Sequence, residues 1–126
     1  MSNTTAEDNT AVGYDALYAN TTGANSVAVG FEALNDNTTG AKNIGIGFGA
    51  GDAITTGSNN TIIGDYAGST TLADTLVIAA GTTERIKVDG NGLYVNGSLV
   101  SSGASNITSQ MTKLRWQRWL ESQEAK

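Results

Sequence analysis

The sequence contains no cysteine, no proline and no histidine among its 126 residues. Without cysteine, the chain has neither a disulfide framework nor a thiolate metal site. Histidine is the commonest general base and a common transition-metal ligand, so its absence removes two usual starting points for an enzyme or a metal centre. No apolar run approaches the ~18 residues of a membrane-spanning segment. The first ten residues, "MSNTTAEDNT", also lack the apolar segment that is typical of a signal peptide.

Basic side chains are scarce in the first two thirds of the chain. Residues 1–83 contain eight acidic side chains and one basic one, Lys42, whereas residues 84–126 contain four acidic and six basic side chains. Because phosphate contacts need lysine and arginine, we expect no nucleic-acid partner. The 16 glycines are unusually many. Since proline is absent, this composition argues against collagen and against a proline-rich disordered linker.

The glycines belong to a repeat with a period of 17 residues. Its four copies are "NTAVGYDAL" from Asn9, "SVAVGFEAL" from Ser26, "NIGIGFGAG" from Asn43 and "NTIIGDYAG" from Asn60. The first part of each copy alternates between large and small residues, which is the period of a β-strand. The small apolar pair that follows, Ala16-Leu17 in the first copy, predicts a second short strand before a turn rich in Asn, Asp, Thr and Gly. Such a unit is one coil of a β-solenoid.

The two faces of the first strand differ in size. We predict that the large face fills the coil and that the core consists of Val12, Val29, Phe31, Ile46, Phe48 and Ile63. Glycine inside a strand usually marks a close backbone approach. We therefore predict inter-chain packing along Gly13, Gly30, Gly47 and Gly64. Four small coils bury little core, so association of identical chains is the expected remedy. The opposite assignment, with the small face inside the coil, remains open.

These motifs resemble known proteins. "NSVAVGFEAL" and its neighbours resemble the head repeats of trimeric autotransporter (YadA-like) adhesins, and "NTAVGYDALYANTTG" is similar to repeats of bacteriophage tail-fibre proteins. The resemblance covers residues 9 to about 68. It implies a left-handed parallel β-roll that assembles as a homotrimer.

The function that this resemblance implies is that of a structural or adhesive segment of a phage tail fibre, located in the virion and contributing to host attachment. The implied partners are further copies of the chain, other virion tail proteins, and a glycan or protein receptor on the host surface. The alternative is the head of a bacterial trimeric adhesin at the cell surface, which the absence of a signal-peptide-like segment disfavours.

The sequence divides into a leader over residues 1–8, β-roll repeats over 9–73, a β-strand region over 74–103 and a helix over 104–126. Three apolar runs in the third part predict a β-meander, with strands at Leu76–Ala80, Arg85–Val88 and Leu93–Val95, and with an extension of the last strand towards Val100. In the helix, the 3-4 spacing of Ile107, Met111 and Leu114 predicts a short inter-chain coiled-coil seam. Trp116, Trp119 and Leu120 lie off that seam, where they face the β part, a partner or a membrane surface.

Several patterns suggest chemistry, but each has a simpler structural interpretation. Gly45, Gly47 and Ala50 fit the dinucleotide motif G-x-G-x-x-A, yet no helix of suitable length follows them. The acidic residues Asp15, Glu32, Asp36 and Asp52 raise the possibility of glycan cleavage by paired carboxylates, or of calcium at the turns. A solvated acidic edge is the simpler interpretation.

Two further patterns lie in the repeat turns. Thr21, Thr38 and Thr55 form a regular row of the kind that ice-binding solenoids display, although the T-x-T spacing is absent. Asn20 and Asn37 begin N-x-T glycosylation triplets, which turn chemistry explains equally well. We therefore expect no enzymatic activity, no cofactor, no metal and no membrane insertion.

Overall fold

The computed structural model describes residues 4–101 and 106–125. They form one sheet of eight strands in sequential order, followed by a C-terminal helix. The prediction of a mainly β chain with a helical end is confirmed. The strands are β1 (Thr10–Val12), β2 (Val27–Val29), β3 (Ile44–Ile46), β4 (Thr61–Ile63), β5 (Leu76–Ala80), β6 (Thr83–Asp89), β7 (Gly92–Val95) and β8 (Ser98–Ser101), and the helix is α1 (Asn106–Glu124).

The first five strands are parallel and stack as a solenoid of about four turns. Thr10 pairs with Val27, so the chain advances by the expected 17 residues, and the next two coils repeat this step. The fourth coil is shorter, because Thr61 pairs with Leu76, 15 residues further on. The solenoid is therefore confirmed, while the prediction of four equal repeats is wrong for the last one.

The predicted second strand of each coil does not form. Ala16-Leu17 and the equivalent Ala33-Leu34 lie in turns, and the leucines have φ values of 52° and 51°. A strand requires a strongly negative φ, so this left-handed backbone bends the chain instead of extending it. The coils still stack at this point, since the N–H of Leu17 donates to the carbonyl of Ala33 at 3.0 Å.

The small strand face, and not the large one, lines the coil. The buried core contains Ala16, Leu17, Ala28, Ala33, Leu34, Ala50, Ile54, Ile62 and Val77. Within the chain, the prediction that Val12, Val29, Phe31, Ile46, Phe48 and Ile63 form the core is wrong, because all six side chains are exposed.

The reason for this reversal is the narrowness of the coil, which Leu17 and Leu34 fill from the turn on the opposite side. A Cβ added to Gly45 would lie only 2.9 Å from Cγ of Leu34. Gly51 occupies the leucine position of the third coil, and the space there is taken by Leu34, Ile54 and Ile62. On β1 to β3, large residues therefore have room only outside, whereas Ile62 on β4 and Val77 on β5 are buried inside the coil.

The repeated glycines are required for stacking within the chain. Gly13, Gly30 and Gly47 have φ values of 136°, 138° and 130°, which side-chain-bearing residues rarely adopt. A Cβ on Gly13 would collide with the carbonyl of Gly30, and a Cβ on Gly30 with that of Gly47; Gly64 meets Ala79 in the same way. Close packing between coils thus explains these glycines, and their predicted contact with neighbouring chains stays a prediction.

The polar residues that directly precede the first four strands form a column, and their side chains accept hydrogen bonds from backbone N–H groups of the next coil. The side-chain oxygens of Asn9, Ser26, Asn43 and Asn60 accept hydrogen bonds from the N–H groups of Ser26, Asn43, Asn60 and Thr75, at 2.8–3.2 Å. These side chains replace the water that buried amides would otherwise need. The column therefore fixes the register between coils.

After β5 the sheet continues as an antiparallel meander. The sequence predicted its first three strands and missed β8, which follows the turn at Asn96 and Gly97, with φ values of 50° and 76°. Lys87 and Asp89 form an ion pair at 3.2 Å on β6. From Ile78 to Val100 no residue is fully buried, so the core of the chain ends at Val77.

Candidate functional site

An unbroken row of aliphatic side chains crosses the outer face of the sheet. Strand pairing places these residues side by side on seven consecutive strands, and every one of them is exposed. We call them the aliphatic row: Val12, Val29, Ile46, Ile63, Ile78, Ile86 and Val95. Directly paired residues share one face of a sheet, so the row forms a continuous stripe. It passes without interruption from the solenoid into the meander.

A stack of aromatic rings borders the aliphatic row on the first three coils. The rings of Tyr14 and Phe31 lie 5.3 Å apart at 12°, and those of Phe31 and Phe48 lie 5.2 Å apart at 5°. Phe48 is 61% exposed. Because the rings cover each other's faces, they present their edges to the outside. In the fourth coil the repeat sequence has Asp65 in place of a fourth aromatic residue.

A second line of residues, two positions away from the aliphatic row along each strand, completes this surface. It includes Ile44 on β3, Leu76 on β5 and Val88 on β6, which are exposed or half-buried. Contiguous apolar patches above a few hundred Å² are rare on monomeric proteins and usually mark an interaction site. We define the outer face as the aliphatic row, this second line and the aromatic stack.

The helix carries a separate set of exposed apolar side chains. Met111 and Leu114 of the predicted seam are exposed, as are Trp116, Trp119 and Leu120. The two tryptophan rings meet edge to face, with centroids 5.5 Å apart. The side chain of Ile107 lies outside the described residues. All described side chains of the helix, from residue 111 to residue 124, are exposed, so inter-chain packing along the seam stays a prediction.

Asp36 and Asp65 lie close enough to the half-buried carboxylate of Asp52 for their charges to act on it. Burial raises the pKa of Asp52 above its ordinary value of 3.8; the backbone hydrogen bond from Ala53 opposes this, and the charges of Asp36 and Asp65 add to it. Oδ1 of Asp52 is buried without a hydrogen-bond partner. Within the described ranges, no group of three or more carboxylates is placed to hold a metal ion.

The threonine row serves the backbone. The hydroxyls of Thr21, Thr38 and Thr55 donate to the carbonyls of Thr38, Thr55 and Thr70 in the next coil, at 2.9–3.0 Å. Hydroxyl groups engaged in this way are not a free array for ordering ice. Structural bonding is therefore the role that the geometry supports.

The two asparagines of the repeat turns are equally structural. Asn20 and Asn37 are fully buried, and each donates to a glycine carbonyl in its own turn, Gly23 at 2.8 Å and Gly40 at 2.9 Å. A buried amide of this kind has no access to a glycosylating enzyme. Turn chemistry is thus the correct interpretation of these two triplets.

The dinucleotide-like motif forms no phosphate loop. A Cβ on Gly45 would point into the coil towards Leu34. Gly47 stacks on Gly64, and Ala50 is buried. No helix follows the motif, since residues 49–53 form turns. The motif is therefore a consequence of coil packing.

The outer face was visible in the sequence as the large side of the alternation, but it was assigned to the wrong side of the coil. The signal that would have corrected the assignment is the pair of leucines at Leu17 and Leu34. Their large side chains need space inside the coil, which leaves room for only Ala or Gly on the facing strand.

Comparisons of the chain with protein-family models, with curated proteins and with solved structures found no match. In the part of the chain that the structure describes, no helix has the length and apolar character needed to cross a membrane. A functional proposal therefore rests on the exposed apolar side chains of the outer face and of the helix.

Proposed function

We propose that this chain is a non-enzymatic structural and adhesive segment of a homotrimeric phage tail fibre, and that the outer face of the sheet is the surface through which its copies associate. The observation that carries the proposal is the aliphatic row, which is exposed on seven consecutive strands. A second copy with the same row covers it with a matching apolar surface.

The energetics favour self-association over exposure. Burying an aliphatic side chain fully contributes about 1.5–3 kcal/mol, and each member of the row retains about a third to three fifths of its exposure, so roughly 1 kcal/mol per side chain is gained by covering it. The row and the aromatic stack supply ten such side chains per copy. The number three comes from the resemblance of the repeats to trimeric adhesin heads and tail fibres.

A fibre segment also needs length and stiffness. Eight strands at the usual ~4.8 Å spacing extend the sheet by about 35 Å. Its coils are tied by side-chain bonds from Asn and Thr as well as by the strand ladder. The exposed turns and the meander are then available for a host glycan or protein, and the N-terminal or C-terminal end for other tail proteins.

Sedimentation equilibrium of the intact chain tests the association. We expect a mass that is a multiple of three chains, and a Val29→Glu, Ile46→Glu variant, which we call the sheet-face variant, is expected to lose this association. Its circular dichroism should remain that of a folded β protein, since both positions lie outside the core.

Tyr18→Glu is the matched control. Tyr18 is also an exposed apolar residue, but it lies in the turn after Leu17 and outside the strands. We expect this variant to keep the mass of the unaltered chain. A monomeric unaltered chain, or equal loss of association in the Tyr18 and sheet-face variants, would remove the basis for the proposal.

A host-attachment assay addresses the adhesive part separately. The trimeric chain should bind cells of a susceptible host and compete with the phage for adsorption. The alternative, a bacterial adhesin head, predicts binding to host tissue components and no competition with a phage.

A further inference from the structure

The C-terminal helix carries apolar residues on two opposite sides. Each residue turns an α-helix by about 100°, so Leu114 and Trp116, two residues apart, point in nearly opposite directions. Met111 lies on the side of Leu114, at a spacing of three residues, whereas Trp119 and Leu120 lie on the side of Trp116. The predicted trimer seam uses the first side. The second side, which we call the tryptophan face, is left without a function.

The tryptophan face is large and uncovered. Trp116 is 60% exposed, Trp119 is 54% exposed and Leu120 is about half exposed. A cavity of about 370 Å³ opens beside the two rings and Arg115. Tryptophans bury large areas and are the residues that most often dominate interfaces. A helix of 19 residues that is exposed along its described length also depends on a partner for much of its stability.

We propose that the tryptophan face pairs antiparallel with the same face of a second copy of this chain. When two copies cross near residue 118 in opposite directions, Trp116 of one lies beside Trp119 and Leu120 of the other. The contact is then isologous, because each copy supplies the same residues to it. The tryptophan face therefore joins two assemblies.

The charges select this direction. Lys113 precedes the tryptophan pair and Glu124 follows it, and the two lie on the same flank of the helix, since eleven residues make about three full turns. In the antiparallel pair, Lys113 of each copy lies beside Glu124 of the other, which forms two opposite-charge contacts. In a parallel pair the same flank of the two helices falls on opposite sides of the contact, so neither opposite-charge contact forms.

The first test measures the helix contact in the absence of the sheet contact. The sheet-face variant should form dimers through its helices, and adding Trp116→Gln and Trp119→Gln should convert them to monomers, a twofold loss of mass in sedimentation equilibrium. Met111→Gln, on the opposite side of the helix, is the control and should leave the dimer intact. Equal masses with and without the two tryptophans would overturn the proposal.

The helix pairing rests on the proposed function, because the number of copies in an assembly comes from it. The two can nevertheless fail separately in this experiment. A monomeric sheet-face variant with an associated unaltered chain overturns the helix pairing alone. An associated chain whose mass is unaffected by the Val29 and Ile46 substitutions overturns the sheet contact alone.

A charge swap tests the direction. Lys113→Glu and Glu124→Lys should each raise the Kd of the dimer by about tenfold, because each replaces two attractive contacts with two repulsive ones. The double swap should restore the affinity. Failure of the double swap to recover would contradict the antiparallel arrangement.

Cross-linking provides an independent readout, because the chain has no native cysteine. Gln123→Cys should form a disulfide with Thr112→Cys when the two variants are mixed and oxidised, and should form none with itself. Self-cross-linking of Gln123→Cys indicates a parallel pair. A shift of tryptophan fluorescence on phosphatidylglycerol vesicles, without any dimer in solution, would assign the face to a lipid surface instead.

Discussion

The solenoid and the meander share one sheet but differ in how they are stabilised. Between Thr10 and Val77, nine apolar side chains are buried inside the coils, and buried asparagines bond one coil to the next. Between Ile78 and Val100, strand pairing continues without any fully buried residue. The solenoid therefore has a core of its own, whereas the meander has two faces that are at best partly covered.

This difference bears on the proposal that the outer face is an interface between copies of the chain. In the first coils the narrow interior is filled by leucine from the turns and by small residues from the strands, so the large strand residues are forced outward. In the meander the same row of aliphatic residues is the main apolar surface available. Covering the outer face with another copy would thus add to the apolar burial that the solenoid already has, whereas it would supply most of the apolar burial of the meander.

The largest effect is expected from a side chain at a stacking glycine. Gly30→Val combines a φ of 138° with a collision against the carbonyl of Gly47. Strain and overpacking together should cost about 4 kcal/mol or more, measured by urea denaturation. Gly90→Val in the meander is the control, since a Cβ there meets nothing within 4 Å. Equal loss at both glycines would contradict the stacking role.

A cavity in the coil should come next. Leu34→Ala removes a fully buried side chain from the centre of the core and should destabilise the chain by about 3 kcal/mol. Leu99→Ala removes an exposed leucine from β8 and should cost less than about 1 kcal/mol while the chain is dissociated. If Leu99 proves as costly as Leu34 in a monomer, the meander has a core of its own and the comparison fails.

The buried amide of a turn should have an intermediate effect. Asn37 donates to Gly40 and to Oδ1 of Asn20 and accepts from Asn43. Asn37→Ala leaves buried partners unpaired and should cost about 2 kcal/mol in the melting transition. Asn91→Ala, at an exposed position of the β6–β7 turn, should change the stability by no more than a few tenths of a kcal/mol.

The smallest expected effect is the pH dependence of the stability, and its sign should differ between the solenoid and the meander. The pKa of Asp52 is raised, chiefly by burial, so the stability linked to it is complete below pH 3.8 and is lost as the pH rises. The pKa of Asp89 is lowered, chiefly by the backbone N–H of Asn91, so its contribution is present above pH 3.8 and is lost as the pH falls.

Asp52→Asn should therefore raise the stability at neutral pH, by less than about 1 kcal/mol because the site is partly solvated. Asp89→Asn should lower it. Thermal melts at pH 3 and pH 7 measure both differences, and a decrease for Asp52→Asn at pH 7 would show that burial does not penalise its charge.

The sequence predicts the coils because four registered copies of one alternating motif have few structural solutions. It predicts a strand at the position of β3, but it assigns Gly47 to contact between chains, whereas Gly47 stacks on Gly64 of the same chain. It does not predict the coil interior, because alternation shows that two faces differ and says nothing about which one has room. That information lies in Leu17 and Leu34, whose large side chains are fully buried inside the coil.

The shortened fourth coil and strand β8 were also missed. The fourth coil ends in "GSTTLADT", which keeps the threonine pair at its usual distance from the next strand, but the segment from Gly64 to Thr70 is two residues shorter than in the third coil. Strand β8 follows a two-residue turn at Asn96-Gly97, a pattern that favours a hairpin and was read as part of the preceding strand. The sequence contains both signals, but each is short and depends on its neighbours.

Sedimentation equilibrium of the Trp116→Gln, Trp119→Gln chain is the most direct test of the outer face as an interface, because helix pairing is then removed. The account predicts a mass of three chains, and a mass of one chain once Val29→Glu and Ile46→Glu are added. A folded monomer before the sheet face is altered would contradict it.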